Sequence, residues 1–111
     1  MARITLTPHK GPVRVVWKGQ VVAQTDRALD LSEADYPVVV YVPRDAADMR
    51  FFEKTAHHTH CPHKGDASYF TLHAGPTRAE NVVWSYETPF EAVTAIAGHL
   101  AFYPQHVSLE S

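Results

Sequence analysis

Apolar residues along this chain come in short alternating or continuous runs separated by glycine and proline, a pattern typical of β-strands. Residues 13–17 (VRVVW) and 21–23 (VVA) are rich in β-branched side chains and are joined across 18–20 (KGQ), where the glycine permits a tight turn. We therefore predict a hairpin here. The near-continuous apolar run 38–42 (VVVYV), bounded by prolines, predicts a central strand.

The second half of the chain has the same character. Residues 67–72 and 82–86 predict another strand pair, with 74–77 (AGPT) supplying the turn between them. Residues 100–103 and 107–109, separated by a proline, predict two closing strands.

Only one segment has helical periodicity. Within residues 89–97 the apolar side chains recur on one helical face and Gly98 can end the segment, which predicts a short helix of about two to three turns. Between residues 44 and 54 the apolar positions fit neither period, and we expect a loop with about one helical turn. The pattern predicts a mainly β fold with one short helix near residues 89–97.

Length and composition favour a single domain over residues 1–111. Of the 111 residues, 45% are hydrophobic, enough to form one core. No stretch approaches the roughly 20 apolar residues that cross a bilayer, and the first residues lack a signal peptide's apolar run. We therefore expect a cytoplasmic protein with no membrane partner. The formal net charge is -2 without clustered basic residues, which argues against binding of duplex nucleic acid.

The densest polar feature is the segment 57–66 (HHTHCPHKGD), which contains four of the eight histidines. Imidazole is a good ligand for zinc, nickel or copper, so His58, His60 and His63 are candidate metal ligands. The chain lacks the paired cysteines of a structural zinc site, so such a divalent metal is not expected to hold the fold. The alternative is a polar loop that is merely rich in histidine, and the sequence leaves the cofactor open.

Cys61 is a candidate nucleophile or redox centre. As the only cysteine it cannot form an internal disulfide, which fits a reducing compartment. The thiolate is the reactive form, and Lys64 and His60 are near enough in sequence to assist it. The alternative is a small buried side chain that packs below a proline turn.

Aromatic residues of the predicted strands indicate a binding pocket. Trp84 and Tyr86 are two positions apart in one strand and therefore face the same side. With Tyr41 and Tyr69 they can form an aromatic wall that stacks a planar ring or a cation. Lys64, on a glycine turn, can meet an anionic group of the ligand. The alternatives are that the aromatic side chains pack in a core and that the lysine lies in a solvated turn.

Four strings resemble a known family. They are Tyr-x-Pro at 41–43, Thr-x-Cys-Pro-x-Lys-Gly-x-Ala-x-Tyr at 59–69, Asn-x-x-Trp-x-Tyr at 81–86 and Gly-His-Leu-Ala-Phe-Tyr at 98–103. Together they closely resemble the bacterial domain of unknown function 427 family over most of the chain. The resemblance implies a compact, mainly antiparallel fold, similar to the β-tent of methionine sulfoxide reductase B and the cereblon thalidomide-binding domain. It does not extend to the two Cys-x-x-Cys pairs that often hold zinc in those relatives.

The family is often labelled a nucleotidyltransferase domain, so the resemblance also implies that activity. Nucleotidyl transfer needs carboxylates that hold magnesium at the phosphates, commonly an Asp-x-Asp pair behind a Gly-Ser turn. The chain has neither string. The sequence Glu33-Ala34-Asp35 has the required spacing, but its place before Tyr36-Pro37 is typical of a solvated turn.

The leading hypothesis from the sequence is a domain that binds a small planar or nucleotide-like metabolite in an aromatic-lined pocket. The alternatives are an enzyme that uses Cys61, a protein-interaction module whose aromatic strands pair with another chain, and a nucleotidyltransferase. The sequence leaves open whether the domain is an enzyme and what its oligomeric state is.

Overall fold

Antiparallel strands dominate the computed structural model, which describes residues 3–111. Ten strands in this range form three sheets with the orders β1-β4-β5, β10-β2-β3 and β6-β7-β8-β9. The strands are β1 (Ile4–Pro8), β2 (Val13–Trp17), β3 (Gln20–Thr25), β4 (Leu29–Glu33), β5 (Val39–Tyr41), β6 (Phe52–Cys61), β7 (Gly65–Ala74), β8 (Thr77–Ser85), β9 (Ala101–Phe102) and β10 (Ser108–Glu110). All pairs are antiparallel, which confirms the predicted fold class.

Two hairpins predicted from the sequence are present. β2 and β3 are joined at Lys18 and Gly19, whose φ angles of 51° and 76° are both positive. A turn with two positive φ angles twists in the same sense as the strands it joins, which is why a glycine is favoured here. β7 and β8 are likewise joined across Gly75.

The predicted central strand 38–42 is wrong in position. Only Val39–Tyr41 is a strand, and it lies at the edge of the sheet β1-β4-β5. The flanking residues Pro37 and Pro43 have no backbone N–H group, so neither end can extend a ladder. Val42 instead exchanges two backbone hydrogen bonds with Leu100, which connects this sheet to the strands near β9.

Three strand regions were not predicted. β1 and β4 pair with each other although neither was assigned from the sequence. The histidine-rich segment is the end of β6 and the following turn, with His58 opposite Ser68 and His60 opposite Asp66 on β7. Pairing with a strongly predicted neighbour therefore gives this polar sequence an extended conformation that its own composition does not favour.

The predicted helix at 89–97 is a shorter 3-10 segment, Glu91–Ile96, interrupted by non-helical angles at Val93. Its two buried residues are three positions apart, which suits a helix with three residues per turn. Gly98, with a φ of 71°, lies just beyond its end as predicted.

Residues 44–54 contain two 3-10 turns, Arg44–Ala46 and Met49–Phe51, before β6 begins. No helical segment within residues 3–111 has the length and apolar character needed to cross a membrane.

Buried side chains form two groups. The first core consists of Val13, Val15, Trp17, Val22, Ala23, Ala28, Val42, Phe52, Phe70, Leu72, Val82, Val83, Leu100, Phe102 and Val107. The second core consists of Leu31, Tyr41, Ala67, Tyr69, Tyr86, Val93, Ile96 and Ala101. The second core therefore joins residues of β4 and β5 to residues of β7, β9 and the 3-10 segment.

Candidate functional site

A cavity of about 240 Å³ opens at the second core. Its lining residues are Leu31, Glu33, Tyr36, Pro37, Val39, Tyr41, Lys64, Tyr69, Trp84, Tyr86 and Tyr103. We call this space the aromatic cavity. All five residues predicted to bind a ligand are among the lining residues, namely Tyr41, Lys64, Tyr69, Trp84 and Tyr86. They come from separate segments of the chain, so only the folded protein brings them together.

Trp84 lies at the centre of the aromatic wall. It is opposite Tyr69 in the register of β7 and β8. Its indole Nε1 donates a hydrogen bond to the Tyr41 hydroxyl at 3.3 Å, and its ring centroid is 4.7 Å from that of Tyr103. A side chain held on three sides in this way presents a fixed flat face, the arrangement that stacking requires.

Three phenols of the cavity, those of Tyr41, Tyr86 and Tyr103, are protonated at neutral pH. Burial raises the pKa of Tyr41 above its ordinary value and raises the pKa of Tyr86 further still. Burial first, and the neighbouring Tyr69 second, raise the pKa of Tyr103 to about 12. Each phenol therefore offers a hydroxyl group that can both donate and accept a hydrogen bond.

The backbone of the β6–β7 turn positions Lys64. Gly65 has a φ of 112°, which residues with a side chain rarely adopt, and this lets the chain reverse directly after the lysine. The Lys64 carbonyl oxygen accepts a hydrogen bond from the Phe90 amide at 2.9 Å. The turn is thereby attached to the segment that precedes the 3-10 helix, and the lysine side chain enters the cavity from a fixed position.

Glu33 neutralises Lys64 inside the cavity. The Lys64 Nζ atom is 2.5 Å from the Glu33 Oε1 atom, and the two side chains are only 11% and 14% exposed. Burial by itself lowers the pKa of Lys64, but the Glu33 hydrogen bond and other nearby negative charge outweigh it, and the pKa is raised. The ammonium also lies 5.8 Å from the centroid of the Tyr86 ring. The cavity thus contains a closed ion pair in place of the free cation expected from the sequence.

Sequence reasoning missed Glu33, Tyr36 and Tyr103 as lining residues. A signal for Glu33 was present, because Leu29, Leu31 and Glu33 alternate along β4 and so face one side of it. A carboxylate on the apolar face of a strand needs a cation nearby. Neither tyrosine had a comparable signal, since Tyr36 lies in a turn and Tyr103 directly follows a two-residue strand.

The chain matches the model of a protein family described as Domain of unknown function (DUF427) over residues 5–111. The chain belongs to this family. A search of curated proteins gave no match. In this DUF427 domain the four strings that carry the resemblance supply six lining residues of the aromatic cavity, which are Tyr41, Lys64, Tyr69, Trp84, Tyr86 and Tyr103.

In the DUF427 domain Cys61 and His60 face opposite sides of β6. The Thr59 hydroxyl is 3.0 Å from the Tyr69 hydroxyl, so the side of β6 that carries Thr59 and Cys61 faces the second core, and Cys61 packs against that core. His60 points the other way, and its Nδ1 atom is 2.6 Å from the Asp66 carboxylate. The predicted assistance of Cys61 by His60 is therefore not supported by their positions.

The structure does not gather the predicted metal ligands. His58 and His60 are exposed on β6, and His63 lies in the following turn. Within residues 3–111 no three histidine, cysteine, aspartate or glutamate side chains form a group that could hold a metal ion. The alternative of a polar loop is wrong for most of the segment, because His57, His58 and His60 belong to β6.

The label of the DUF427 family also carries a nucleotidyltransferase-like name. Of the two carboxylates with suitable spacing, Glu33 is held by Lys64 inside the cavity, whereas Asp35 is exposed in the turn after β4. Ala34 between them has a φ of 47°, so the two residues do not continue one strand. The pair lacks the shared direction that a magnesium site at phosphates needs.

Proposed function

We propose that this domain binds a small planar metabolite, a single heterocycle or the base of a nucleotide-like molecule, in the aromatic cavity. The observation that carries the proposal is the convergence of Tyr41, Lys64, Tyr69, Trp84 and Tyr86 on one cavity. Concave sites with aromatic walls and a few convergent polar groups are the usual form of small-molecule sites.

The size of the cavity favours one ring system. Its volume of about 240 Å³ lies just below the range of roughly 300 to 1,000 Å³ typical of sites for drug-sized ligands. A flat ring placed against Trp84 gains stacking energy of about 0.5 to 1.5 kcal/mol beyond the burial of its area. The cavity therefore suits a planar head group, with any larger part of the ligand outside it.

The Lys64–Glu33 pair supports recognition of a polar ring edge. Lys64 supplies hydrogen-bond donors and Glu33 supplies acceptors within the same pair. A group that accepts from the lysine and donates to the glutamate, such as a hydroxyl or an amide, satisfies both at once. A ligand anion would instead have to compete with Glu33 for the lysine, and it would face the carboxylate at close range.

A thermal-shift screen tests the proposal. Nucleosides, nucleotides, aromatic amides and thiol metabolites are each added to wild type, Trp84→Ala and Phe90→Ala. Phe90 is a matched aromatic control because it is 46% exposed and does not line the cavity. At a hundredfold excess over the dissociation constant, a ligand stabilises the folded state by about 2.7 kcal/mol, which raises Tm by roughly 10 °C or more at this size.

The expected result is that at least one compound with a planar ring raises Tm in wild type and in Phe90→Ala but not in Trp84→Ala. Absence of any shift across the screen, or a hit retained in Trp84→Ala, contradicts the proposal.

A second candidate function is chemistry at Cys61. It is favoured by one observation, that Cys61 is partly exposed and lines a space adjoining the aromatic cavity. The same screen with Cys61→Ser separates the two functions. A planar ligand should still bind this variant, whereas a thiol metabolite recognised through the cysteine should not.

A further inference from the structure

A second cavity of about 640 Å³ adjoins the aromatic cavity. The two share five lining residues, which are Glu33, Tyr36, Pro37, Val39 and Trp84. The two cavities therefore lie side by side, and a molecule with its ring against Trp84 has the second space next to it.

The second cavity, which we call the apolar groove, has a different chemical character. Beyond the shared residues it is lined by Val38, Val40, residues 61–63, Phe102, Pro104 and Leu109. Among all the described residues that line the groove, shared ones included, Glu33 and His63 are the only acidic, basic or histidine side chains. The polar groups of the site are thus concentrated in the aromatic cavity, and the groove offers mainly hydrocarbon surface.

The groove also contains most of the large hydrophobic side chains that are exposed in the described residues. Five large hydrophobic side chains are exposed in the part of the chain that the structure describes. Three of them line the groove, namely Tyr36 at 71%, Val38 at 55% and Leu109 at 42% exposure. Apolar surface gathered beside a cleft, instead of scattered singly, is characteristic of binding sites.

An extended peptide is a poor occupant of this groove. A peptide that adds to the edge of β5 needs a row of free N–H and C=O groups. β5 has three residues and is bounded by Pro37 and Pro43, which have no N–H group to offer. The five lining residues shared with the aromatic cavity instead favour one molecule that occupies both spaces.

We propose that the ligand of this domain is amphipathic, with a planar polar head in the aromatic cavity and a hydrocarbon tail along the apolar groove. The proposal rests on the proposed function and specifies the class of ligand. Because each buried methylene contributes a similar increment of transfer free energy, affinity is expected to rise about two- to fourfold for each methylene until the groove is full.

The test uses the methyl, ethyl, propyl, butyl and hexyl esters of 4-hydroxybenzoate, titrated calorimetrically at pH 6.5. The phenol of this head can accept from Lys64 and donate to Glu33, and the ester alkyl chain is the tail. Wild type is compared with Val38→Glu, which places a carboxylate in the groove at an exposed position where folding is not at risk. Val21→Glu is the matched control, since Val21 is 44% exposed on β3 and does not line the groove.

We expect affinity to rise steadily with the length of the ester chain in wild type and in Val21→Glu. In Val38→Glu most of this rise should be lost, while the affinity for the methyl ester is retained. A methyl ester that binds while longer esters gain nothing overturns the amphipathic ligand and leaves the proposed function intact. If affinity rises equally with chain length in Val38→Glu and Val21→Glu, the amphipathic ligand is overturned as well, because the alkyl chains then bind outside the groove. Failure of every ester to bind, the methyl ester included, counts against both proposals.

Discussion

The two cores of this molecule are built from different side chains. The fifteen buried residues of the first core include no tyrosine. Three of the eight buried residues of the second core are tyrosines, and the Lys64–Glu33 pair and the aromatic cavity adjoin them. Protein interiors are normally close-packed, so unfilled volume and buried charge cost stability. The comparison indicates that the first core supplies stability and that the second retains costly features suited to a binding site.

The largest expected effect comes from a cavity created in the first core. Leu72 is fully buried there, and Leu72→Ala should lower the free energy of unfolding by about 2 to 5 kcal/mol, because the neighbours cannot fill the space left behind. Urea denaturation followed by tryptophan fluorescence measures the loss. A cost below about 1 kcal/mol would show that the first core is loosely packed and would remove the contrast between the two cores.

The next effect concerns the buried ion pair beside the second core. Lys64→Met leaves the Glu33 carboxylate largely buried without its partner, and we expect a loss of about 3 kcal/mol. The double variant Lys64→Met with Glu33→Gln should recover much of this loss, since no unpaired charge remains. A double-mutant cycle in urea measures the coupling between the two residues. Simple additivity of the two single changes would show that the pair is not coupled.

A smaller, pH-dependent effect is expected at Glu87, outside both cores. Its carboxylate is 2.6 Å from Lys54 Nζ and 3.1 Å from Arg44 Nη1, and it accepts a hydrogen bond from Ser68. The Lys54 hydrogen bond is the main reason that the pKa of Glu87 lies below 4.5. A lowered folded-state pKa stabilises the protein above the unfolded pKa, and this contribution is lost as the pH falls through the folded value.

Glu87→Gln should therefore be less stable than wild type by about 1 kcal/mol at pH 7, with the difference shrinking below about pH 4.5. Chemical denaturation of both proteins at several pH values measures it. A difference that stays constant, or grows, towards low pH would mean that the charge of Glu87 is not what stabilises this region.

The smallest effect is expected at the exposed pair of His60 and Asp66. Their side chains are 62% and 79% exposed, so His60→Ala should change the free energy of unfolding by less than about 0.5 kcal/mol. Because His60 faces away from the second core, ligand-induced shifts in Tm should also be unchanged. If a planar compound that raises Tm in wild type no longer raises it in His60→Ala, the binding site extends across β6.

Short-range pattern indicated the residues of the aromatic wall, and the fold brought them together. The alternation of side chains along a strand predicts a shared face for Trp84 and Tyr86. Both line the cavity, although β8 ends at Ser85 and Tyr86 lies just beyond it. The same reasoning predicted β2, β3 and the turn between them. The apolar run did not indicate that Val39–Tyr41 is an edge strand, because such a run indicates burial and not the position of a strand in its sheet.

Long-range contacts decided the chemistry of the site. Lys64 and Glu33 are 31 positions apart, and nothing local to either residue selects the other. His60 and Cys61 are adjacent in sequence, which suggested cooperation, yet the pleat of β6 separates their side chains. Closeness along the chain was thus a poor guide to closeness in space in both cases.

By itself, the sequence determined the family through the four strings that resemble it, and with the family the antiparallel fold. The two-residue period of strands determined the β character, and residue type together with turn chemistry indicated five residues of the aromatic cavity. The tertiary structure alone decided that Lys64 is paired with Glu33, that His58, His60 and His63 are not gathered into one group, and that an apolar groove adjoins the cavity. The physical reason is that burial and charge pairing depend on which strands come together, and that choice is made by the packing of the whole chain.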